Sequence, residues 1–217
     1  MHLIQKYALF LLLIGLASAQ DCQLTIARLK YGGGGDWYSG PSMLPNLTSA
    51  AKSRTKLPVC DSSAVVEITD QRLFHYPFLF MTGHGEFRLT TQEKTRLRKY
   101  LIGGGFLWAD DNYGLSPSFR REMAALFPEN PLVELPSSHP IFKSHYQLSG
   151  LPKIHEHDGE PARAFGIFFE NRLVVLFTYS ADIGNGMEDL HVHNDGEERH
   201  ELALRMGINV LSWFFSP

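Results

Sequence analysis

Short, wholly apolar runs flank an amphipathic stretch in the middle of the chain. Phe78–Met81 is a continuous apolar run, as in a strand buried on both faces, and Phe106–Ala109 is a second one. Between them, Thr90 with Glu93 three residues later predicts a helix that begins with a capping box, and Gly103–Gly105 predicts its end. Short buried strands joined by a helix pair in parallel. This stretch therefore predicts a parallel strand–helix–strand unit.

Strand-like and helix-like patterns of apolar positions predict the other elements. Alternating or continuous apolar positions predict strands at Leu24–Tyr31, Ala64–Ile68, Leu132–Leu135, Ala164–Glu170 and Leu173–Tyr179. Apolar positions on one helical face predict helices at Met43–Lys56, Pro117–Phe127 and Glu197–Phe214. The last two strands form a predicted hairpin with Asn171-Arg172 as its turn, and the continuously apolar second strand is expected to be central. We expect one α/β domain with a largely parallel sheet.

The N-terminus has the pattern of a secretory signal peptide. Lys6 precedes the apolar run Ala8–Leu16, and Ala17-Ser18-Ala19 matches a cleavage signal. The apolar run is shorter than a membrane-spanning helix requires. We therefore expect residues 1–19 to be removed after Ala19, and residues 20–217 to form a single periplasmic or secreted domain.

Charge and cysteine content narrow the possible partners. The 217-residue chain has a formal net charge of −3 and no basic stripe, which argues against nucleic-acid binding. The export signal is the only feature that points to a membrane. In an exported protein, Cys22 and Cys60 could form a disulfide, or both could remain free thiols.

Polar, glycine-bearing loops follow three of the buried strands. These loops are Thr82–Glu86, Asp110–Gly114 and Ser180–Gly186. In open α/β sheets, ligands bind at the carboxyl ends of the strands. The sequence therefore predicts a ligand site at this edge, with side chains from four strand ends as candidates: Asp36, His84, Asp110, Asp111, Asn112 and Asp182.

The loop after the first strand contains four consecutive glycines, Gly32–Gly35, followed by Asp36, Trp37 and Tyr38. Glycine lets backbone N–H groups approach a ligand or another segment closely, and aromatic residues mark contact surfaces. No Walker or dinucleotide-binding pattern is present. The loop is either a mobile turn or an ordered contact surface. In the second case, Gly33, Gly34, Asp36, Trp37 and Tyr38 are ligand-binding candidates.

The same edge offers candidate residues for metal binding but few for nucleophilic catalysis. His84 with Asp110, Asp111 or Asp182 would suit Zn, Mn or Mg, although the same carboxylates could instead cap loop amides. The pairs His155/His157 and His191/His193 lie in polar loops, where solvated histidines are the simpler interpretation. No G-x-S-x-G motif is present, and neither cysteine follows a buried strand at a sharp turn, so covalent catalysis is disfavoured.

The chain resembles the bacterial family DUF4159 over nearly all of its mature length. The resemblance rests on four stretches: Ala27–Leu47, Phe78–Gly114, the segment ending LPSSHPIF at Phe142, and Leu176–Asp189. It implies a flavodoxin-like three-layer sandwich similar to the class I glutamine amidotransferases. In those enzymes the turn after the equivalent strand carries the catalytic Cys, whereas here Asp110 and Asp111 occupy it. The resemblance therefore implies the fold but not Cys-dependent glutaminase activity.

Two functions are compatible with these features. The first is a noncatalytic module of the cell envelope that binds a small molecule or an envelope protein through the strand-end side chains. The second is a metal-assisted hydrolase that uses His84 and the strand-end carboxylates, with a divalent metal as cofactor.

Overall fold

A computed structural model describes residues 22–216 of the chain. Its seven-stranded sheet has the order β2-β1-β3-β4-β7-β6-β5. The strands are β1 Ile26–Lys30, β2 Ala64–Glu67, β3 Phe78–Gly83, β4 Phe106–Asp111, β5 Val133–Leu135, β6 Arg163–Phe169 and β7 Arg172–Tyr179. The α-helices are α1 Met43–Arg54, α2 Thr91–Ile102, α3 Ser116–Leu126, α4 Ile183–Met187, α5 Leu190–His193 and α6 Glu197–Phe214. Short 3-10 turns lie at Gln71–His75 and Pro140–Lys143.

The strand order creates a topological switch point between β1 and β3. Strands β2, β1, β3, β4 and β7 are parallel, while β6 and β5 are antiparallel to their neighbours. The chain moves outward from β1 to β2 and then returns to place β3 on the other side of β1. Such a reversal between neighbouring strands is the switch point where doubly wound sheets bind ligands. The predicted mixed α/β fold with a mostly parallel sheet in a three-layer arrangement is confirmed.

The alternation of side chains along each strand builds two cores, one on each face of the sheet. Phe80 and Trp108 face α1, α4 and α6, whereas the next residue of each strand, Met81 and Ala109, faces α2 and α3. All four are completely buried. Full burial of a large apolar side chain contributes roughly 1.5–3 kcal/mol, so these central strands hold the three layers together.

Helix α2 begins and ends as the sequence predicts. Thr90 Oγ1 accepts from the Glu93 N–H at 3.2 Å, and the Glu93 carboxylate accepts from the Thr90 N–H at 2.8 Å, which completes the capping box. At the other end, a Cβ atom on Gly105 would lie 2.3 Å from the ring of Tyr100. Glycine is required there because the chain turns directly under that ring into β4.

Several predicted boundaries needed correction. Strand β4 extends two residues beyond Ala109, so Asp110 and Asp111 belong to the sheet rather than to the following loop. The hairpin turn is Glu170-Asn171 and not Asn171-Arg172; both turn residues have positive φ, and Arg172 pairs with Phe169. The predicted loop Ser180–Gly186 includes the start of α4. The predicted central position of β7 and the bounds of α6 are confirmed.

Cys22 and Cys60 form a disulfide, so the alternative of two free thiols is wrong. The bond ties the segment that enters β1 to the segment that precedes β2. The predicted signal peptide lies outside the described residues. Within residues 22–216, none of the helices is both long and apolar enough for a membrane span.

Candidate functional site

Asp110 and Asp111 point to opposite faces of the sheet, because neighbouring residues of a strand alternate. Asp110 lies on the face of α1, α4 and α6. Its Oδ1 accepts from the Thr178 hydroxyl at 2.5 Å, and its Oδ2 accepts from the Gly184 N–H at 2.7 Å. The side chain is completely buried and both oxygens are occupied. Asp110 therefore anchors the start of α4, and its position does not suit direct ligand binding.

Burial raises the pKa of Asp110 to about 7. The bonds from Thr178 and Gly184 oppose this rise because they stabilise the carboxylate, while the charge of Asp182 adds to it. Asp111 behaves similarly. Burial raises its pKa to about 6. The hydrogen bond that its Oδ1 accepts from the Leu115 N–H at 2.9 Å opposes this rise.

Asp111 faces a cavity of about 250 Å³ at the carboxyl ends of β4 and β7. We call this cavity the edge pocket. Its lining comes from three separate loops and consists of Asp111, Tyr113, Gly114, Ser116, Pro117, His157, Asp158, Tyr179 and Ser180. A larger cavity, about 410 Å³, lies at the opposite edge of the sheet beside Trp213 and the Glu170-Asn171 turn. The edge pocket, unlike this larger cavity, is lined by a strand-end carboxylate, that of Asp111.

His157 closes one side of the edge pocket and is held by Asp182. Its Nε2 lies 2.5 Å from Asp182 Oδ2, and its ring stacks on Tyr113 with centroids 4.6 Å apart. The Asp182 side chain is completely buried, and its Oδ1 has no hydrogen-bond partner within the described chain. Burial raises the pKa of Asp182, although the bond with His157 lowers it in part. A buried carboxylate thus orients a histidine that faces the cavity.

Strained backbone surrounds the same histidine. Among residues 22–216, six non-glycine residues have positive φ, and three of them border the edge pocket: Tyr113 at 80°, Ser180 at 52° and Asp182 at 53°. Each such residue costs of order 1–3 kcal/mol and persists only where the surroundings impose it, most often at functional sites.

Tyr113 offers a direct test of this strain. Its side chain is half exposed, so Tyr113→Gly and Tyr113→Ala remove the same contacts. Only the alanine variant retains a Cβ atom at positive φ. We expect Tyr113→Gly to exceed Tyr113→Ala in free energy of unfolding by about 1 kcal/mol, measured by urea denaturation. Equal stabilities would show that the turn is not strained.

Lys153 holds the turn at Ser180. Its ammonium donates to Ser180 Oγ at 2.7 Å and to the Glu160 carbonyl at 2.7 Å, and it lies 3.6 Å from the Glu156 carboxylate. The Ser180 hydroxyl in turn donates to the Glu160 carbonyl at 3.0 Å. These bonds fix the loop that contains His157 against the end of β7.

The glycine loop is an ordered structure built on backbone contacts. A Cβ atom on Gly33 or Gly35 would lie 2.7 Å from backbone atoms of the loop that follows β3. The Gly35 N–H donates to the Glu86 carbonyl at 3.0 Å, and the Arg28 guanidinium donates to carbonyls of Trp37, Ser39 and Gly40. These contacts argue against the mobile-turn alternative. The segment that approaches Gly33 closely is therefore part of the protein itself and not a ligand, whereas the space beside Gly34 is open.

His84 and Asp36 form a second, more exposed pair at the switch point between β1 and β3. Asp36 Oδ2 lies 2.9 Å from His84 Nδ1, and Asp36 Oδ1 accepts from the His84 N–H. Half of the His84 side chain is exposed. Next to this pair, Trp37 packs against the core on the side of α2, and Tyr38 is 66% exposed.

The predicted metal site does not assemble. His84 pairs with Asp36 rather than with Asp110 or Asp111, which lie on different faces. In the part of the chain that the structure describes, no three His, Cys, Asp or Glu side chains are grouped so that they could hold a metal ion. The metal-assisted hydrolase therefore has no ligand set among these residues.

Four buried side-chain oxygens at the carboxyl edge lack a hydrogen-bond partner within residues 22–216: Ser39 Oγ, Thr82 Oγ1, Asn112 Oδ1 and Asp182 Oδ1. One lies at or beyond the end of each of the neighbouring parallel strands β1, β3, β4 and β7. Buried polar atoms are normally paired with protein or ordered water. This edge therefore has unmet hydrogen-bonding capacity.

Comparison with protein families gives one match. A model described as a domain of unknown function, DUF4159, matches residues 25–215. The chain belongs to the DUF4159 family. A search of curated proteins finds no match to it.

Some site residues of this DUF4159 protein were missed by sequence reasoning. His155 and His157 were interpreted as solvated, but they lie 3.0 Å from Asp195 and 2.5 Å from Asp182, and His193 lies 2.7 Å from Glu188. Of the four histidines in these pairs, only His191 lacks a carboxylate contact among those found in the described chain. The local pattern gives no signal for these contacts, because each carboxylate partner is set by the tertiary fold. Tyr113, Lys153, Tyr179 and Ser180 were likewise not predicted as site residues.

Proposed function

We propose that this protein is an exported, noncatalytic binding module of the cell envelope that holds a small polar molecule in the edge pocket. The observation that carries the proposal is the pocket itself: a cavity of about 250 Å³ at the carboxyl edge, lined from three loops and bordered by strained residues.

The nucleophile candidates favour binding over covalent catalysis. Both cysteines of the chain are used in the disulfide. The Ser180 hydroxyl donates to a backbone carbonyl and accepts from Lys153, whose ammonium also donates to the Glu160 carbonyl. A nucleophilic serine needs a base that takes its proton, and neither contact of Ser180 provides one.

The disulfide supports the proposed export. Disulfides form and persist in oxidising compartments such as the periplasm and the extracellular space. A periplasmic or secreted location agrees with the predicted signal peptide and cleavage after Ala19. Kinship with the class I glutamine amidotransferases is part of this proposal and rests on the resemblance and on the 2-1-3-4 order of the first parallel strands.

NMR titration of the ¹⁵N-labelled protein tests the binding function. We expect at least one probe from a panel of glucose, N-acetylglucosamine, acetamide, putrescine and inorganic phosphate to shift the amides of Tyr113, His157 and Ser180. Tyr113→Ala should lose the shifts, and the probe should be recovered chemically unchanged.

Phe74→Ala is the matched control for this titration. Phe74 is 46% exposed and contacts Arg96 and Tyr100 near α2, away from the edge pocket, so its removal should preserve the shifts. Shifts that persist in Tyr113→Ala, or a panel with no shift at these amides, would contradict the proposed function. Conversion of the probe would contradict its noncatalytic character.

A further inference from the structure

The side chains that line the edge pocket disfavour an anionic ligand. Two carboxylates, Asp111 and Asp158, belong to the lining, which contains no lysine or arginine. A phosphate or carboxylate ligand would meet like charges, and the nearby cations are already bound to protein groups: Lys153 donates to Ser180 Oγ and Arg120 donates to Ser116 Oγ.

Arginine side chains around the pocket partly neutralise its carboxylates, so a cationic ligand is not needed to do so. The guanidiniums of Arg120 and Arg163 lie 5.5 Å and 5.4 Å from the centroid of the Tyr179 ring. Arg120 interacts electrostatically with Asp111, and Arg163 donates to the Glu160 carboxylate at 3.2 Å. Protein cations therefore already balance the carboxylates around Tyr179, and a neutral ligand fits this balance best.

The two carboxylates of the lining favour a ligand that donates hydrogen bonds. The carboxylates of Asp111 and Asp158 accept hydrogen bonds when ionised, and the hydroxyl proton of Ser180 is already used by the Glu160 carbonyl. Hydroxyl groups on a neutral molecule supply such donors.

One wall of the pocket is a stacked pair of flat rings. The Tyr113 and His157 rings are inclined by only 24°, and Tyr113 is 50% exposed. Tyr179 contributes another aromatic side chain to the lining. Aromatic rings give large apolar contact area with a polar end, which suits a ligand that has both an apolar face and hydroxyl groups.

We propose that the edge pocket binds a single neutral saccharide ring, with its apolar face on Tyr113 and its hydroxyls directed to the carboxylates. The inference rests on the proposed function, since it names the class of molecule that the same pocket holds. The cavity of about 250 Å³ is slightly smaller than the roughly 300–1,000 Å³ typical of sites for drug-sized ligands, as expected for one ring.

Isothermal titration calorimetry with N-acetylglucosamine, glucose, putrescine and inorganic phosphate tests the saccharide assignment. At least one of the two saccharides should bind, and should bind more tightly than putrescine or phosphate. Tyr113→Ala should weaken that binding about tenfold, the equivalent of about 1.4 kcal/mol for a lost aromatic contact. The affinity of Tyr113→Phe, which keeps the ring, should stay within about threefold of the wild-type affinity. Phe74→Ala should bind the saccharide with the wild-type affinity.

The outcomes separate this inference from the proposed function. Putrescine or phosphate could bind more tightly than both saccharides, with an affinity that Tyr113→Ala weakens. That result would overturn the saccharide assignment, while the pocket would remain a binding site. If a saccharide binds with equal affinity to Tyr113→Ala, the ring platform is overturned. If none of the four probes binds, the saccharide assignment fails, and the proposed function then depends on the remaining probe of the NMR panel.

Discussion

Asp110→Ala is expected to lower the free energy of unfolding by about 3 kcal/mol. The substitution removes the acceptor for the Gly184 N–H at the start of α4 and the acceptor for the Thr178 hydroxyl in the centre of the sheet. Both donors are buried. The Gly184 N–H loses its acceptor, and the Thr178 hydroxyl retains only the longer bond to the Ala109 carbonyl at 3.3 Å. Urea denaturation at pH 6 measures the loss. A loss below about 1 kcal/mol would mean that Asp110 does not anchor α4.

Asp110→Asn separates the charge of this side chain from its shape. The folded-state pKa of Asp110, about 7, lies above its ordinary value of 3.8. The folded protein therefore retains a proton that the unfolded chain releases, and the resulting stability is fully present below about pH 4 and is lost as the pH rises through about 7. The difference corresponds to roughly 4 kcal/mol.

The free energy of unfolding should therefore depend on pH differently in the wild type and in Asp110→Asn. Between pH 4 and pH 8, the stability of the wild type relative to Asp110→Asn should fall, because the amide does not titrate. Using the difference in stability between the two proteins removes the contribution of carboxylates whose pKa is lowered by hydrogen bonds from arginine side chains, such as Asp70 and Glu86. Parallel stability curves would contradict a buried, protonated Asp110.

Loss of the Cys22–Cys60 disulfide is the second large expected effect. The bond joins residues 38 positions apart, and closing a loop of that length in the unfolded chain stabilises the fold by about 4 kcal/mol. The double variant Cys22→Ala/Cys60→Ala should therefore unfold at a clearly lower urea concentration than the oxidised wild type.

Reduction of the wild type is the matched control for this variant. Dithiothreitol should move the urea midpoint of the wild type to that of the double variant, and it should leave the double variant unchanged. An unchanged midpoint for the wild type under reducing conditions would contradict a stabilising disulfide.

The sequence predicts most of the fold because its signals are local. The capping box of Thr90 and Glu93, the apolar runs of β3 and β4 and the period of α6 each lie within one element. The Glu170-Asn171 turn was displaced by one residue because Arg172 can occupy either a turn or a strand. Its place in β7 is decided by pairing with Phe169.

The candidate site was predicted as an edge of the sheet but not as a set of contacts. If β4 ended at Ala109, Asp110 and Asp111 would lie in one loop as an acidic pair. The strand includes both residues, so their side chains point to opposite faces of the sheet. His157 reaches Asp182 across 25 positions and stacks on Tyr113 across a still longer separation. Contacts of this range depend on how three loops meet, and no local pattern encodes them.

Amide hydrogen exchange with and without a saturating concentration of the probe that binds in the titrations tests the central claim, that the edge pocket is the ligand site. We expect slower exchange in residues 111–115, 155–159 and 179–183, where the three loops line the pocket. The glycine loop, residues 32–38, should exchange at the same rate in both samples. Protection confined to the glycine loop, or no protection in the three pocket segments, would contradict the account.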